Sequence, residues 1–237
     1  MVQRFRNFDF LGTIWMMSED NDFKVKNLDG YSKKNFFYYA NKRIFDVLGG
    51  LIGLTISAIP IAIFAVIIKK DGGPAFYTQR RIGLHGKSFL MYKLRSMVPD
   101  ADLKRVKLLD KNEKHGGLFK MKRDPRVTRI GRFLRSHSLD ELPQFWNVLK
   151  GDMSLVGPRP PLHSEVEKYN EYQTQRLLVR PGMSGLWQIS GRSNLDFEDM
   201  VALDLKYIDE RSTWGDIKIC FKTIAIIFKR GEDVGAY

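Results

Sequence analysis

Residues 47–68, VLGGLIGLTISAIPIAIFAVII, carry no charge over 22 positions, and no other feature of this 237-residue chain restricts its fold as strongly. A straight helix of that length rises about 33 Å, enough to cross a hydrocarbon core of about 30 Å. A helix apolar on every side belongs in a membrane or at the centre of a large core, whereas a surface helix needs only one apolar stripe. Pro60 sits near the middle of the run. Its ring crowds the preceding turn and its missing N–H frees the carbonyl of Ile56, so a kink is expected there, with the hydroxyls of Thr55 and Ser57 serving the freed backbone. Lys42 and Arg43 precede the run and Lys69 and Lys70 follow it. Basic flanks on both sides assign both ends to the cytoplasm. The expectation that meets both facts is a re-entrant helix hairpin, hinged at Ser57 and Pro60, that enters and leaves one leaflet. An ordinary spanning anchor with a tolerated proline, and a buried soluble helix, are the alternatives.

The rest of the chain is basic. A formal charge of +12 and a pI near 9.7 ask for an anionic partner: nucleic acid, an anionic lipid bilayer, or a phosphate-rich small substrate. No helix-turn-helix or RNA-binding signature accompanies that charge, so nucleic acid is not the expected partner. The single cysteine, Cys220, excludes an internal disulfide, and His85, His115, His137 and His163 lack the spacing of a zinc motif. The expected organisation is a weakly structured leader at 1–40, without a removable signal, followed by one domain at 41–237. That domain divides into a membrane segment, 41–70, and a compact cytosolic body, 71–237.

Within the body the reading is α+β and mainly helical. Short strands are expected at 75–78 and 88–94, then a charged helix at 98–114, a basic segment at 120–137 and a short helix at 139–150. The loop GDMSLVGPRPP follows, then a polar helix at 163–178, the loop RPGMSGLWQISGR, and helices at 196–210 and 214–230. In the last of these Ile217, Cys220, Phe221, Ile224, Ile227 and Phe228 share one face, a stripe that suits a core and a membrane interface equally.

The chemistry points to RFLRSHSLDELPQFWNVLKGD. Leu142, Phe145, Trp146 and Leu149 mark one face of the short helix, which places Asp140 and Glu141 at its N-terminus, where free backbone donors favour anions. Ser138 through Glu141 also spell a capping box, in which the Glu only closes the helix start. Arg123, Arg126, Arg129, Arg132 and Arg135 recur at every third position upstream. On a helix the last three can converge on a phosphate beside the Asp; a solvated face for lipid head groups is the alternative. Two adjacent carboxylates can divide labour in phosphoryl transfer, one as nucleophile and one as the ligand of a hard cation. A membrane scaffold without chemistry would need neither.

The motifs KRIFDV, GGPAFYTQRRIGLHGKSFLMYKLRSM, SLDELPQFWNVLKGDMSLVGPRPP, PGMSGLWQISGR and a terminal GAY occur in that order. Over residues 40–237 the chain resembles the bacterial sugar transferases, or monotopic phosphoglycosyl transferases. The resemblance implies a mostly helical cytosolic body with small β elements, seated on a re-entrant helix on the cytoplasmic face of the bacterial inner membrane. It implies transfer of a sugar 1-phosphate from a UDP-sugar to undecaprenyl phosphate, with release of UMP, as the first step of exopolysaccharide, capsule or O-antigen type synthesis. Asp140 falls on the family's nucleophile, and Glu141 on its ligand for Mg2+. Lys93, Arg95, Arg135 and Arg159 fall on phosphate-contact positions; Trp187, Gln188 and Arg192 on the nucleotide pocket; and Asp216 on an acidic position opening the last helix. Larger relatives carry extra spanning helices and a nucleotide-binding-like domain ahead of this core, so the short exopolysaccharide form is expected here. Two departures stand out: Ile59, not Ser, precedes the kink proline, and residues 1–40 match nothing. The sugar and the oligomeric state, a homo-oligomer included, are left open.

Overall fold

The computed structural model describes residues 34–106, 108, 121, 124–191 and 195–229; most of the leader, Arg123, Arg192 and the terminal GAY lie outside that range. Helix α1, Phe36–Lys69, opens where the side chain of Asn35 accepts the Tyr38 N–H at 2.9 Å. It runs uninterrupted through Pro60, so the apolar run forms one helix of 34 residues. The two hydroxyls expected to serve the Ile56 carbonyl do not. Ser57 Oγ donates to Gly53 O at 2.7 Å and Thr55 Oγ1 to Leu51 O at 2.9 Å. Each lies one turn above a carbonyl of its own, which is the nearest acceptor a helical Ser or Thr can reach.

One stripe of α1 faces the body along its full length. Asp46, Gly50, Ser57 and Ile68 are buried, and Ile61 and Phe64 pack with Ile68 against Leu94 and Leu134. Gly53 admits the Phe145 ring so closely that a Cβ would lie 2.4 Å from it. Positions 46, 50, 53, 57, 61, 64 and 68 follow the helical period. The opposite face, with Leu48, Ile52, Ile56, Ile59, Ile63 and Val66, is exposed and apolar apart from Thr55, whose hydroxyl is spent on Leu51 O.

Both ends of α1 are fastened to the same body. Arg43 donates to Val148 O and Leu149 O at 2.8 and 2.7 Å, the terminal carbonyls of α4 (Gln144–Lys150). At the other end Arg95 donates to Ile68 O at 3.1 Å and pairs with Asp71. Arg43 and Lys42 therefore answer carbonyls and carboxylates of the body; the sequence marked them only as charges flanking a membrane segment.

An antiparallel hairpin follows, β1 (Phe76–Ile82) and β2 (Ser88–Leu94). Helix α2 is Ala101–Val106; the remainder of the expected 98–114 helix lies mainly outside the described residues. Helix α3 is Arg129–Ser136, and α4 follows it. The two loops read as structureless contain a parallel pair, β3 (Ser154–Val156) with β4 (Gly182–Ser184), and helix α7, Leu186–Ser190. The polar helix expected at 163–178 is instead α5 (His163–Val166), α6 (Glu171–Thr174) and a 3-10 turn. Asn170 breaks it, because its side chain caps the Gln173 N–H and starts α6 afresh.

Helices α8 (Phe197–Glu210) and α9 (Thr213–Lys229) close the chain around Val156, Val201, Leu205, Tyr207, Ile208 and Ile219. Of the two readings of the α9 stripe, the core one does not hold, and the exposed part of the stripe stays compatible with a membrane interface. Phe221 and Ile224 are exposed, and Asp216 and Ile219 are buried, because Asp216 and Thr223 have polar partners inside.

Candidate active site

The hairpin supplies one wall of the site. In its register Lys93 stands opposite Tyr77, so their side chains share a face. Asn147 pins α4 to β2, accepting the Tyr92 N–H at 3.1 Å and donating to Leu90 O at 2.7 Å. The other wall is the approach to α4. Ser138 adopts a left-handed conformation, φ 56°, and its hydroxyl makes no cap bond. Leu139–Glu141 then form a single 3-10 turn, and the helix proper starts at Gln144. The expected capping box is therefore absent. A helix begun at Leu139 would need an N–H at position 143 to bond the Leu139 carbonyl, and Pro143 has none. Glu141, freed from that duty, accepts Lys93 Nζ at 2.7 Å.

Asp140 is buried, and no described side chain donates a hydrogen bond to its carboxylate. Burial pushes its pKa above the ordinary value; Lys93 and Arg135 oppose that shift, and Glu141 adds to it. Arg135, from the last turn of α3, is the member of the basic series whose charge reaches Asp140. Arg126 precedes the helix, is buried and is held by Asp124 at 2.6 Å, while Arg129 and Arg132 are exposed. The three-residue period does not make one face, since Thr128 caps α3 in the middle of the series.

Behind this turn lies a layer the sequence showed only in part. Arg159 forms a two-pronged pair with Glu165, at 2.8 and 3.2 Å. Burial works against both charges, yet the pairing holds Glu165 below its ordinary value and Arg159 above. The backbone of Arg159 is gripped as well: its carbonyl accepts from Arg176 at 3.3 Å. Arg176 and Asp204 are themselves a fully buried pair at 2.7 Å, and burial pushes Asp204 up to about 6 against the pull of Arg176. Arg81, which no expectation singled out, joins this layer. Burial and the neighbouring Arg159 pull its guanidinium down to about 10, while Glu165, Tyr77 and Glu141 pull it up. Its only sequence signal was the doubled Arg of TQRRIG.

The other expected site residues lie elsewhere. Arg95 is buried at the end of α1, where its guanidinium meets Asp71, Pro74 O and Ile68 O. Gln188, on α7, donates to Met183 O at 3.1 Å, and α7 packs on α8 and α9. Asp216 is sealed beneath α1, 3.1 Å from Lys42 and bonded by Tyr207 at 2.9 Å; burial raises its pKa. Ser57 is buried on the inner stripe of α1, while Pro60 stays partly exposed. Lys93, Arg135, Asp140 and Glu141 are thus the expected residues that the fold brings together, and Arg159 connects to them through Arg81, which feels both Arg159 and Glu141.

The cation test turns on Glu141. No cluster of three or more acidic, His or Cys side chains occurs among the described residues. Mg2+ commonly takes one or two protein carboxylates and fills its remaining positions with phosphate oxygens and water. Glu141, partly exposed beside Asp140, fits that use; Glu165, committed to Arg159, does not.

A carboxylate pair beside ammonium and guanidinium groups can receive phosphate oxygens. The chain belongs to the bacterial sugar transferase family, whose model matches residues 37–230. It is 50% identical over 213 residues to the galactosyl transferase CpsE of Streptococcus agalactiae, covering 86% of this chain and 47% of that one. It is 45% identical over 204 residues to the undecaprenyl-phosphate galactose phosphotransferase of Salmonella typhimurium, covering 83% and 41%. With the exopolysaccharide production protein ExoY of Rhizobium meliloti it shares 42% over 197 residues, 81% of this chain and 87% of the relative. The chain therefore spans about half the length of the first two relatives and matches most of the third.

Proposed function

We propose that the protein transfers a sugar 1-phosphate from a UDP-sugar to undecaprenyl phosphate through a covalent intermediate on Asp140. The observation that carries this reading is the Asp140 carboxylate itself: buried, without a side-chain hydrogen bond among the described residues, and set among Glu141, Lys93 and Arg135. An acceptor left unsaturated in a basic cleft keeps its oxygen available for attack.

In the first step a carboxylate oxygen of Asp140 bonds to the sugar-side phosphorus, the bond to the bridging oxygen breaks, and UMP leaves with the electron pair. In the second an oxygen of undecaprenyl phosphate attacks the same phosphorus, the acyl phosphate breaks, and Asp140 is restored. Lys93 neutralises Glu141 and sits where phosphate charge gathers, and Arg135 offsets the charge of Asp140. Glu141 would hold Mg2+, which when bound shields the charge of the pyrophosphate. The names of the galactose-handling relatives make UDP-galactose the first donor to test.

The membrane seat belongs to the same proposal. The helix α1 is long and apolar enough to cross a bilayer, yet both its ends are tied to one body and its inner stripe packs on that body throughout. That arrangement favours a helix held within one leaflet at the cytoplasmic face with its outer side in lipid, although the chain does not turn back at Pro60. The decisive experiment incubates membranes containing the protein with radiolabelled UDP-galactose and Mg2+. UMP release and label retained on Asp140 are expected; release of UMP with label found on any other residue refutes the mechanism.

A further inference from the structure

Arg81 has no place in the chemistry proposed above, yet the fold builds a site around it. Residues two apart on a strand share a face, so Tyr77, Gln79 and Arg81 stand on the face that carries Lys93. The guanidinium is braced from behind: Nε and Nη2 donate to Gln79 Oε1 at 3.1 and 2.6 Å, and Nη1 donates to Pro160 O at 2.9 Å. Three of the five N–H groups of an arginine are committed in this way, which leaves one on each Nη among the described residues. Pro160 adjoins Arg159, whose own fork is held by Glu165. Arg81 and Arg159 repel each other, and Glu165 is the carboxylate that both feel. Glu141 also reaches Arg81 and Asp204 also reaches Arg159, so what is in surplus is donors: the two N–H groups of Arg81 left over beside the Arg159 fork.

The position of the surplus selects the anion. Arg81 lies four residues along β1 from Tyr77, the partner of Lys93, which is roughly 13 Å of strand. The charge of Glu141 still reaches that guanidinium, which sets the pair beside the carboxylate turn and farther along the hairpin than Lys93. In an in-line displacement the leaving group departs on the side opposite the nucleophile. We propose that Arg81 and Arg159 form a paired-guanidinium clamp for the nucleotide-side phosphate of the donor, the phosphate that leaves within UMP. Lys93 then serves the sugar-side phosphate. This inference rests on the UDP-sugar reading above, and its test separates the two.

Binding of UMP and of inorganic pyrophosphate is measured on the full chain in detergent for wild type, Arg81→Lys and Arg81→Gln, beside steady-state UMP release. Loss of charge-assisted hydrogen bonds weakens both ligands about 10-fold or more in Arg81→Gln, with a smaller loss in Arg81→Lys, which keeps the charge but not the fork. KM for the UDP-sugar rises by the same factor while KM for undecaprenyl phosphate stays put, a split that a brace for the Pro160 loop would not produce. Should Arg81→Gln fail to fold, Arg81→Lys decides alone. Wild-type affinity for UMP and pyrophosphate in the folded variants overturns the clamp and leaves the donor reading standing. Weakened pyrophosphate binding in a protein that releases UMP from no UDP-sugar leaves the clamp standing and removes the donor reading.

Discussion

Two clusters in this molecule use the same three charges, one lysine between two carboxylates, and they have opposite characters. At the hairpin, Lys93 meets Glu141 with both side chains partly in solvent, while Asp140 beside them takes no side-chain hydrogen bond from any described residue. Beneath α1, Lys42 sits between Asp46 and Asp216, with 13%, 3% and 0% of those side chains exposed. There the carboxylates are crowded with donors. Asp46 Oδ1 takes the Leu155 N–H at 3.0 Å and lies 2.9 Å from the Ser154 hydroxyl, and Tyr207 donates to Asp216. A sealed cluster, in which even the Asp216 oxygen that lacks a hydrogen bond is closed off beside Lys42, fixes elements in place; one open to solvent is where a substrate can supply missing partners. Charge composition alone does not tell them apart.

The largest effect that would break this contrast comes from Asp140→Asn. UMP release and the covalent intermediate should both fall at least about 10^3-fold in folded protein, since the amide is no nucleophile. Near-normal turnover would make the open cluster as structural as the sealed one.

Next in size is Lys42→Met, which leaves two buried carboxylates without their cation and should cost about 3–5 kcal/mol in denaturant unfolding. The pH dependence of that loss sharpens the point. Burial already raises Asp216, and Lys42 is what holds it down. Removing the lysine raises the folded-state pKa further, so the folded form binds a proton that the unfolded chain releases, and stability falls as pH rises above the ordinary carboxylate value. The loss measured at pH 7.5 should shrink toward pH 5; a loss flat with pH would mean Lys42 acts through packing.

A smaller change is expected from Lys93→Met, about 10–100-fold in kcat, with the fold intact. Asp140 titrates above the ordinary 3.8, and Lys93 pulls it down. The acid limb of the UMP-release profile should therefore lie above that value in the native enzyme and move higher still in the variant. Arg129→Gln and Arg132→Gln, on the exposed side of α3, should change stability by no more than about 0.5 kcal/mol; a large loss of turnover in either would reinstate the converging arginines.

The open cluster was legible because its residues are neighbours in sequence or in short motifs: Asp140 beside Glu141, Arg135 one helix earlier, Lys93 within YKLRSM. What escaped depends on distance along the chain. Arg176 and Asp204 are 28 positions apart and announce nothing until the fold closes them on the backbone of Arg159. Arg81 reaches the site through strand register, which the doubled Arg alone does not disclose. Three-residue strands such as β3 and β4 are too short for an alternation to show. On α9 the apolar stripe left core and membrane interface equally open, and inward-facing Asp216 and Thr223 look like surface residues until Lys42 and Ser184 are placed beside them. At α1, Lys42 and Arg43 read as membrane flanks, and their bonds to the body add to that reading without removing it.

The unbroken inner stripe of α1 bears on how this protein can be handled. Deleting the apolar segment to obtain a water-soluble fragment would uncover Phe145, Leu134 and Leu94 in one stroke. Soluble versions are better sought by recoding the outer row, from Leu48 through Ile56 to Val66, into polar residues while every inward position is kept.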